Sequence, residues 1–365
     1  MTLSGKGIFI WQVAQCEGGN PEQIAGRAEA AGLSHVLIKI ADTHWAFGFD
    51  RFNHDRLPPV VEALRRRGIQ AWGWHYVRGD DPVGEARAAV SRTRALGLDG
   101  YVIDAEKEYK QPGKGGAART FMEHLRAGLP EAPVALSSYR YPRYHPEIPW
   151  TEFLVGCDYN MPQVYWEQAH DPELQLERSA GELLALRPGR PVIPTGSAYG
   201  VGAWRPTAGD LRRFFEKAQA LGCPAANVYS WDWAGRSGNE DLWEAVAGYD
   251  WPAPKEPDIT ESLMEALNAS KAGKVAGLYT EDAVHVMADR TLEGREAIRQ
   301  WYKQLLREDL RDGRFELTAS SGEGRWRHFT WTCNSPQGNV LDGNDTLGLV
   351  EGKIQYHYSF FTLTP

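Results

Sequence analysis

The stretch DRLPPVVEALRRRGIQAWGWHYV (residues 55–77) contains the unit that decides the fold. Residues 55–67 carry apolar side chains at helical spacing, Gly68 follows, and residues 71–77 form an apolar, aromatic-rich run typical of a buried strand. A glycine directly after a helix supplies the left-handed conformation in which many helices end. The stretch therefore predicts one helix, one tight turn and one strand.

The same unit recurs along the first 250 residues, where Gly32, Gly97 and Gly222 also follow the last apolar turn of a predicted helix. We predict helices at residues 21–31, 55–67, 82–96, 115–128, 172–186, 207–221 and 239–247, with a weaker segment at 142–155. We predict strands at residues 7–11, 35–41, 71–77, 100–106, 134–139, 158–166, 191–199 and 225–233. Eight strands alternating with helices indicate an α/β fold, a (β/α)8 TIM barrel over residues 1–250. A doubly wound open sheet is the alternative, but no G-x-G-x-x-G follows the first strand.

A change of pattern after residue 250 predicts a second domain. Residues 251–259 are rich in proline and resemble a semi-rigid linker. Beyond them we predict helices at 261–278 and 294–310, then strands at 315–320, 325–333, 339–350 and 353–363. Helices followed by a run of antiparallel strands indicate a smaller α+β domain over residues 260–365.

The composition of the chain limits the possible functions. Its 365 residues are 42% hydrophobic and 24% charged with a net charge of -8, values that exclude a disordered chain, a fibre and a coiled coil. The negative charge argues against a nucleic-acid partner, and no apolar run reaches the roughly 18 residues of a membrane span. The four cysteines lie far apart, and the first residues lack a secretory signal pattern. We expect a cytoplasmic protein without cofactor or metal, although release by lysis or a non-classical route stays open.

Tryptophan is unusually frequent, and its distribution points to the barrel. The chain has 14 Trp, of which eleven precede residue 252, and several follow predicted strands beside carboxylates. Core packing explains any single Trp. Flat aromatic side chains beside acids also suit the apolar faces and hydroxyls of sugars, so the combination predicts a glycan substrate.

The end of the fourth predicted strand, YVIDAEKE (residues 101–108), carries the candidate catalytic groups. Because residues i and i+2 share one face of a strand, Asp104 and Glu106 should both point into the barrel mouth, with Glu108 where the strand ends. Clustered carboxylates raise one another's pKa, as a general acid near neutral pH requires. The alternative is a structural network in which these acids pair with Lys39 or Arg78.

Other predicted strand ends supply substrate-binding candidates. They are Lys39, His75, Tyr139, Gln163, Tyr165, Trp166 and Trp233, together with Glu108. Asp232 is a further polar group at the end of the eighth predicted strand. A metal bound by Asp104, Glu106 and His75 is conceivable but has no supporting ligand spacing, and no G-x-S-x-G motif of a serine hydrolase occurs.

Four motifs together resemble a glycoside hydrolase barrel. They are GKGIFIW (residues 5–11), IDAE (103–106), MPQVYW (161–166) and YSWDW (229–233). The resemblance covers residues 5–250 and is closest to the family 25 lysozymes, more distantly to the family 18 chitinases. It implies that Glu106 is the general acid and that Asp104 orients the substrate's 2-acetamido group as that group attacks the anomeric carbon. It further implies that Gln163 and Tyr165 bind sugar hydroxyls or the acetamido group, and that Asp232 supplies a further catalytic carboxylate.

One position departs from that family. Family 25 lysozymes carry an aspartate in the first strand, in a G-I-D pattern, where this chain has Gly7-Ile8-Phe9. The departure puts muramidase specificity in doubt. It leaves room for another N-acetylhexosamine glycan or for a barrel that binds carbohydrate without cleaving it.

The second domain resembles a SnoaL-like or nuclear-transport-factor-2-like fold, on LYTEDAV (278–284), LEGREAI (292–298) and EGKI (351–354). The resemblance implies a cone whose mouth can hold a ligand. Candidate pocket residues are His285, Trp301, Tyr302, His328, Asp345, Tyr356 and His357. A small-molecule isomerase or cyclase activity, and a homodimer through this domain, are the hypotheses that follow.

Overall fold

Eight parallel strands close into a barrel in the first part of the computed structural model, which describes residues 3–252 and 258–364. The barrel strands are β1 Gly5–Ile10, β2 His35–Asp42, β4 Gln70–Val77, β5 Gly100–Ala105, β6 Val134–Tyr139, β7 Tyr159–Val164, β8 Thr195–Ser197 and β9 Ala225–Tyr229. A short strand, β3 Trp45–Ala46, folds back antiparallel on β2. Because β1 pairs with both β2 and β9, the sheet has no edge, which confirms the barrel and excludes the open sheet.

Helices follow most of the strands and form the outer layer. They are α1 Pro21–Ala30, α2 Leu57–Arg66, α3 Pro82–Leu96, α4 Lys114–Gly128, α5 Trp150–Leu154, α6 Pro172–Leu184, α7 Ala208–Ala220, α8 Trp231–Ala234 and α9 Glu240–Ala247. Gly97 ends α3 with a φ of 61°, as the sequence pattern predicts. The weak segment at 142–155 contains a 3-10 turn at Pro142–Tyr144 and the short helix α5.

The barrel interior is filled by aromatic side chains. Trp72 is fully buried, and its ring covers the Cα of Gly100 on the neighbouring strand, where a Cβ would come within 2.5 Å of the ring. Phe9, at the position of the absent aspartate, packs on Trp74 and Tyr229 with ring centroids 6.1 and 6.0 Å away. An apolar plug therefore replaces a carboxylate in the first strand.

The last predicted barrel strand ends earlier than its sequence pattern indicates. We predict strand over residues 225–233, but β9 stops at Tyr229 and α8 begins at Trp231. Residues 231–233 therefore project from a helical turn and do not alternate across a strand.

Residues 258–364 form a second compact unit with its own hydrophobic core. Its helices are α10 Ile259–Asn268, α11 Ala272–Gly277 and α12 Arg295–Leu305. Its strands are β10 Tyr279–Val286, β11 Thr291–Glu293, β12 Arg314–Ser321, β13 Trp326–Ser335, β14 Gly338–Val350, β15 Lys353–Phe360 and β16 Leu363–Thr364. The sheet order is β11-β10-β15-β14-β13-β12, with β16 on β14, and β10 runs parallel to β15.

Two features of this unit differ from the sequence prediction. The single helix predicted at 261–278 is broken at Ser270, whose φ of 52° is incompatible with a continuing helix. The strands β10 and β11 have no counterpart among the predicted strands. The predicted linker falls mainly on residues 253–257, which lie outside the described residues.

No helix within residues 3–252 and 258–364 combines the length and hydropathy needed to cross a membrane.

Candidate functional site

A groove of about 400 Å³ opens at the carboxyl ends of the barrel strands. Its wall contains Trp11, Lys39, Asp42, Trp74, Tyr76, Arg78, Asp104, Glu106, Lys107, Glu108, Gln163, Tyr165 and Tyr229. Six of the residues proposed from sequence as catalytic or substrate-binding line this groove, namely Lys39, Asp104, Glu106, Glu108, Gln163 and Tyr165. This is the end of the barrel at which TIM-barrel enzymes carry their active sites.

A glutamine joins the two central carboxylates. The side-chain nitrogen of Gln163, at the end of β7, donates hydrogen bonds of 2.9 Å to both Asp104 Oδ1 and Glu106 Oε1. The two acids therefore point into the same space, as the alternation rule for strand residues predicts. An amide bears two N–H groups and no charge, so it fixes both carboxylates without neutralising either.

Asp104 is the deeper of the two acids and holds a proton more tightly than an ordinary aspartate. Its side chain is buried, and burial together with the nearby charge of Glu106 raises its pKa well above the usual value. Lys39 and the hydrogen bond from Gln163 act in the opposite direction but do not outweigh burial. The pair thus retains a proton at a pH at which free carboxylates are ionised.

Two of the three cations in the groove wall, Lys39 and Arg78, are engaged by a different carboxylate. Lys39 Nζ lies 2.7 Å from Asp42 Oδ2, and Arg78 lies 3.5 Å from Asp42 Oδ1. Within the described residues neither cation forms an ion pair with Asp104 or Glu106. The alternative interpretation, in which these two acids serve a structural network with Lys39 and Arg78, is therefore not what the structure contains.

Tyrosines form much of the remaining wall. Tyr76 OH donates a 2.8 Å hydrogen bond to Glu108 Oε2, and burial together with that bond raises the pKa of Tyr76. The rings of Tyr165 and Tyr229 lie 6.1 Å apart. Tyr139, a predicted substrate-binding residue, is not part of this wall, and the Lys110 ammonium lies 4.1 Å above its ring. The groove therefore combines acids with aromatic surface.

Two substrate-binding candidates do not reach the groove. His75 is fully buried between the strands and the helices, with Nδ1 2.8 Å from Tyr101 OH and Nε2 2.5 Å from the carbonyl of Thr43. Burial lowers its pKa to about 4, so it is a neutral structural side chain. Trp166 is fully buried against Phe214. Both predictions are wrong, because these side chains project into the outer layer.

Because β9 ends at Tyr229, two further predicted site residues lie outside the groove wall. Asp232 accepts hydrogen bonds of 2.7 and 2.6 Å from the backbone N–H groups of Trp11 and Gln12, so it anchors the end of β1 and is not part of the groove wall. Trp233 is half-buried and packs against Gly200. Neither side chain belongs to the groove wall, which corrects their predicted roles.

Sequence reasoning missed four groove residues, Trp11, Tyr76, Lys107 and Tyr229. The three aromatic ones each lie two residues beyond another residue that points into the barrel, namely Phe9, Trp74 and Asn227. The period of two along each strand is the signal that identifies them once the inward face is known.

The second unit contains a buried polar cluster. His357 Nε2 lies 2.9 Å from Asp345 Oδ2, and His357 Nδ1 lies 2.6 Å from Tyr279 OH, which itself lies 3.0 Å from Tyr302 OH. The ring of His285 stacks on His357 with centroids 4.1 Å apart. All five side chains are buried in an otherwise apolar core.

This cluster reaches a cavity of about 370 Å³ through Ser359. His285 Nε2 lies 2.8 Å from Ser359 Oγ, and Ser359 and Trp301 both line the cavity. Burial and the neighbouring His357 lower the pKa of His285 well below its usual value, so its ring is neutral. Two other predicted pocket residues, His328 and Tyr356, lie on the exposed opposite face of the sheet and are excluded from this cavity.

Within the described residues, no group of three or more His, Cys, Asp or Glu side chains is arranged to hold a metal ion.

Comparison with known proteins identifies the second unit. Residues 260–357 match the family described as a SnoaL-like domain. The first part of the chain is thus an eight-stranded parallel barrel, and the second is a SnoaL-like domain. No curated protein matches the chain.

Several solved structures are similar to about three tenths of the chain, each with a TM-score of 0.26. A putative isomerase of the SnoaL-like family from Agrobacterium tumefaciens str. C58 is 24% identical and covers 28% of this chain and 94% of its own. A putative ketosteroid isomerase from Kribbella flavida DSM 17836 is 16% identical and covers 28% and 75%. An NTF2-like protein of unknown function from Cytophaga hutchinsonii ATCC 33406 is 12% identical and covers 30% and 95%.

Proposed function

We propose that the barrel is a glycoside hydrolase that cleaves a glycan containing N-acetylhexosamine, such as peptidoglycan or a chitin-like polymer. The observation that carries the proposal is the Asp104–Gln163–Glu106 arrangement, two carboxylates fixed on one amide at the carboxyl end of the barrel. Aromatic side chains around the pair suit the apolar faces of sugar rings. The resemblance of the IDAE motif (residues 103–106), at the end of β5, to glycoside hydrolases agrees with this assignment.

The different burial of the two acids supports different roles. Glu106 is partly exposed in the groove, so it can reach a glycosidic oxygen, whereas Asp104 is buried beneath it. In the proposed reaction Glu106 donates a proton to the leaving oxygen as the substrate's acetamido oxygen attacks the anomeric carbon and the glycosidic bond breaks. Water then opens the cyclic intermediate and returns its proton to Glu106.

Asp104 would position the acetamido group during this reaction. A carboxylate at its depth can accept the amide N–H of the substrate, which turns the carbonyl oxygen toward the anomeric carbon. That hydrogen bond favours ionised Asp104 and leaves the proton of the pair to Glu106. The route requires no protein nucleophile, so Phe9 in place of a first-strand aspartate does not prevent it.

The test is the release of reducing ends from peptidoglycan and from chitin oligomers by the full chain. Glu106→Gln removes the transferable proton but keeps the hydrogen-bond acceptor for Gln163, so we expect turnover to fall by about 10²–10⁴-fold while oligosaccharide binding is retained. Glu123→Gln, on the exposed face of α4, is the matched control and should retain full activity. Equal turnover by Glu106→Gln and the wild type would contradict the proposal.

The same experiment distinguishes a barrel that only binds carbohydrate. Saturable glycan binding by the wild type without release of reducing ends from any substrate would favour that alternative.

We propose a second candidate function in the SnoaL-like domain, acid–base chemistry on a small molecule. The supporting observation is the buried Asp345–His357–Tyr279 hydrogen-bond chain beside neutral His285, which meets the cavity at Ser359. An imidazole kept neutral by burial can accept a proton, and the polarised chain beside it can stabilise the resulting charge.

The probe for this second function is exchange of the α-hydrogen of 2-tetralone with D2O, followed by NMR. We expect the full chain to accelerate exchange and His285→Gln to remove the acceleration. Glu106→Gln, in the barrel, serves as the control and should leave exchange unchanged. No acceleration above the uncatalysed rate, or acceleration that survives His285→Gln, would contradict this candidate.

A further inference from the structure

A second and larger cavity lies at the same end of the barrel. Its volume is about 680 Å³, and it lies between the first residues after β1 and the loop that joins β2 to α2. Its wall contains Gln12, Val13, Ala14, Ala46, Phe47, Gly48, Phe49, Asp50, Arg51, Phe52 and Arg56. None of these residues belongs to the groove that contains Asp104 and Glu106.

The cavity and the groove flank the end of one strand. Trp11 lines the groove, and Gln12, the next residue, lines the second cavity. Asp232 fixes both by accepting their backbone N–H groups. A ligand that passes over Trp11 and Gln12 would therefore occupy both spaces, so the two cavities form consecutive parts of one binding surface.

Two arginines give the wall of the second cavity positive charge. Arg51 and Arg56 line it, and within the described residues neither forms an ion pair with a carboxylate. The one acid in the wall, Asp50, is occupied, because it accepts the backbone N–H groups of Phe52 and His54. Guanidinium groups without a carboxylate partner bind planar anions such as carboxylates in a bidentate geometry.

Contacts from helix α3 hold the loop that forms the cavity in place. Arg92, buried on α3, lies 2.5 and 3.2 Å from the two carboxylate oxygens of Asp55 and donates to the carbonyl of Phe47 at 3.0 Å. A loop tied to a barrel helix in this way presents its aromatic and cationic side chains in a fixed arrangement. Preformed sites lose less conformational entropy on binding than mobile ones.

We infer that the β2–α2 cavity binds an acidic sugar unit of a polymeric glycan whose neighbouring unit lies in the groove. The aromatic side chains Phe47, Phe49 and Phe52 contact the sugar ring, and Arg51 and Arg56 bind its carboxylate. The inference rests on the proposed glycosidase function and specifies its substrate as a carboxylated glycan of several units. The β2–α2 loop thus selects glycans that carry a negative charge, a role separate from bond cleavage.

The experiment compares two oligosaccharides that differ only in charge. A hyaluronan hexasaccharide and its carboxyl-reduced form are titrated into the full chain by calorimetry at low salt. We expect the carboxylated form to bind at least about tenfold more tightly, a difference of about 1.4 kcal/mol, because a charge-assisted hydrogen bond is stronger than one between neutral groups. Arg51→Gln/Arg56→Gln should abolish the difference and leave the affinity for the reduced form unchanged.

The matched control is Arg87→Gln/Arg212→Gln, which removes the same charge from exposed positions of α3 and α7. It should retain the tenfold preference, which separates a local contact from the effect of net charge. Equal affinity of the wild type for the two sugars, no saturable binding of either, or a preference that survives Arg51→Gln/Arg56→Gln would overturn the inference. A charge preference without release of reducing ends would support the site while contradicting the glycosidase proposal.

Discussion

At the residue scale, the burial of Asp104 predicts how the stability of the barrel depends on pH. Its pKa is higher in the folded chain than in the unfolded chain, so the folded state binds the extra proton and the free energy of unfolding falls as pH rises above about 4. Asp104→Asn cannot ionise and keeps an acceptor for Gln163. We expect this variant to melt at a higher temperature than the wild type at pH 8, with a gain that shrinks toward pH 4.

The measurement is thermal unfolding of the barrel transition at several pH values, where each kcal/mol corresponds to about 2–4 °C for a domain of this size. Glu123→Gln removes a charge from an exposed helix position and should follow the wild type at each pH. A gain for Asp104→Asn that does not change with pH would show that Asp104 is ionised in the folded protein.

The direction of a side chain on a barrel strand could be predicted from the sequence for some residues and not for others. Asp104 and Glu106 could be placed on one face because their polarity marks that face as the open end of the barrel. The direction of the His75 side chain could not be predicted in this way. A strand buried on both sides is apolar throughout, so nothing in residues 71–77 distinguishes inward from outward positions. The structure assigns Trp74 and Tyr76 to the interior and His75 to the outer layer.

At the element scale, the contact between Trp72 and Gly100 determines how β4 and β5 pack inside the barrel. A Cβ added at Gly100 would lie 2.5 Å from the ring of Trp72, which cannot move because it is fully buried. We expect Gly100→Ala to lower the free energy of unfolding by about 1–3 kcal/mol through overpacking. Urea unfolding followed by tryptophan fluorescence measures the loss.

Gly116→Ala in α4 is the control for this prediction. Its Cβ would meet open space, and alanine is favoured over glycine in a helix, so stability should rise by about 0.5–1 kcal/mol. If both variants changed stability in the same direction, the loss would not come from the contact with Trp72.

The elements themselves were predicted well where a glycine or a change of period marks their ends. The alternation of helical and apolar segments predicts the eight strands, most clearly where Gly32, Gly68, Gly97 and Gly222 separate a helix from the apolar run that follows it. Trp231 and Trp233 are aromatic and so favour a strand by propensity, but in the folded chain they belong to the helical turn α8. The strand β10 was missed because Glu281 and Asp282 interrupt its apolar alternation at a bulge.

At the scale of the whole molecule, the exposed face of the second sheet predicts self-association. Tyr356 and Tyr358 on β15 are 55% and 56% exposed, and Trp326, in the same row across β14, is 58% exposed. Monomeric proteins seldom expose contiguous aromatic surface of this kind. We propose that a second copy of the chain covers this face. The two copies then form a symmetric dimer through their SnoaL-like domains.

Sedimentation velocity of the full chain tests this proposal. We expect a dimer at micromolar concentration and a monomer for Tyr356→Ser/Tyr358→Ser, because replacing two rings removes apolar area from both halves of a symmetric contact. Val155→Ser/Leu184→Ser removes comparably exposed apolar side chains from the barrel and should leave the dimer intact. The tyrosine variant alters neither the buried polar cluster around His357 nor the barrel groove. Tetralone exchange and glycan binding therefore report whether the variant is folded. A monomeric wild type, or a folded tyrosine variant that remains dimeric, would show that this face has no such partner.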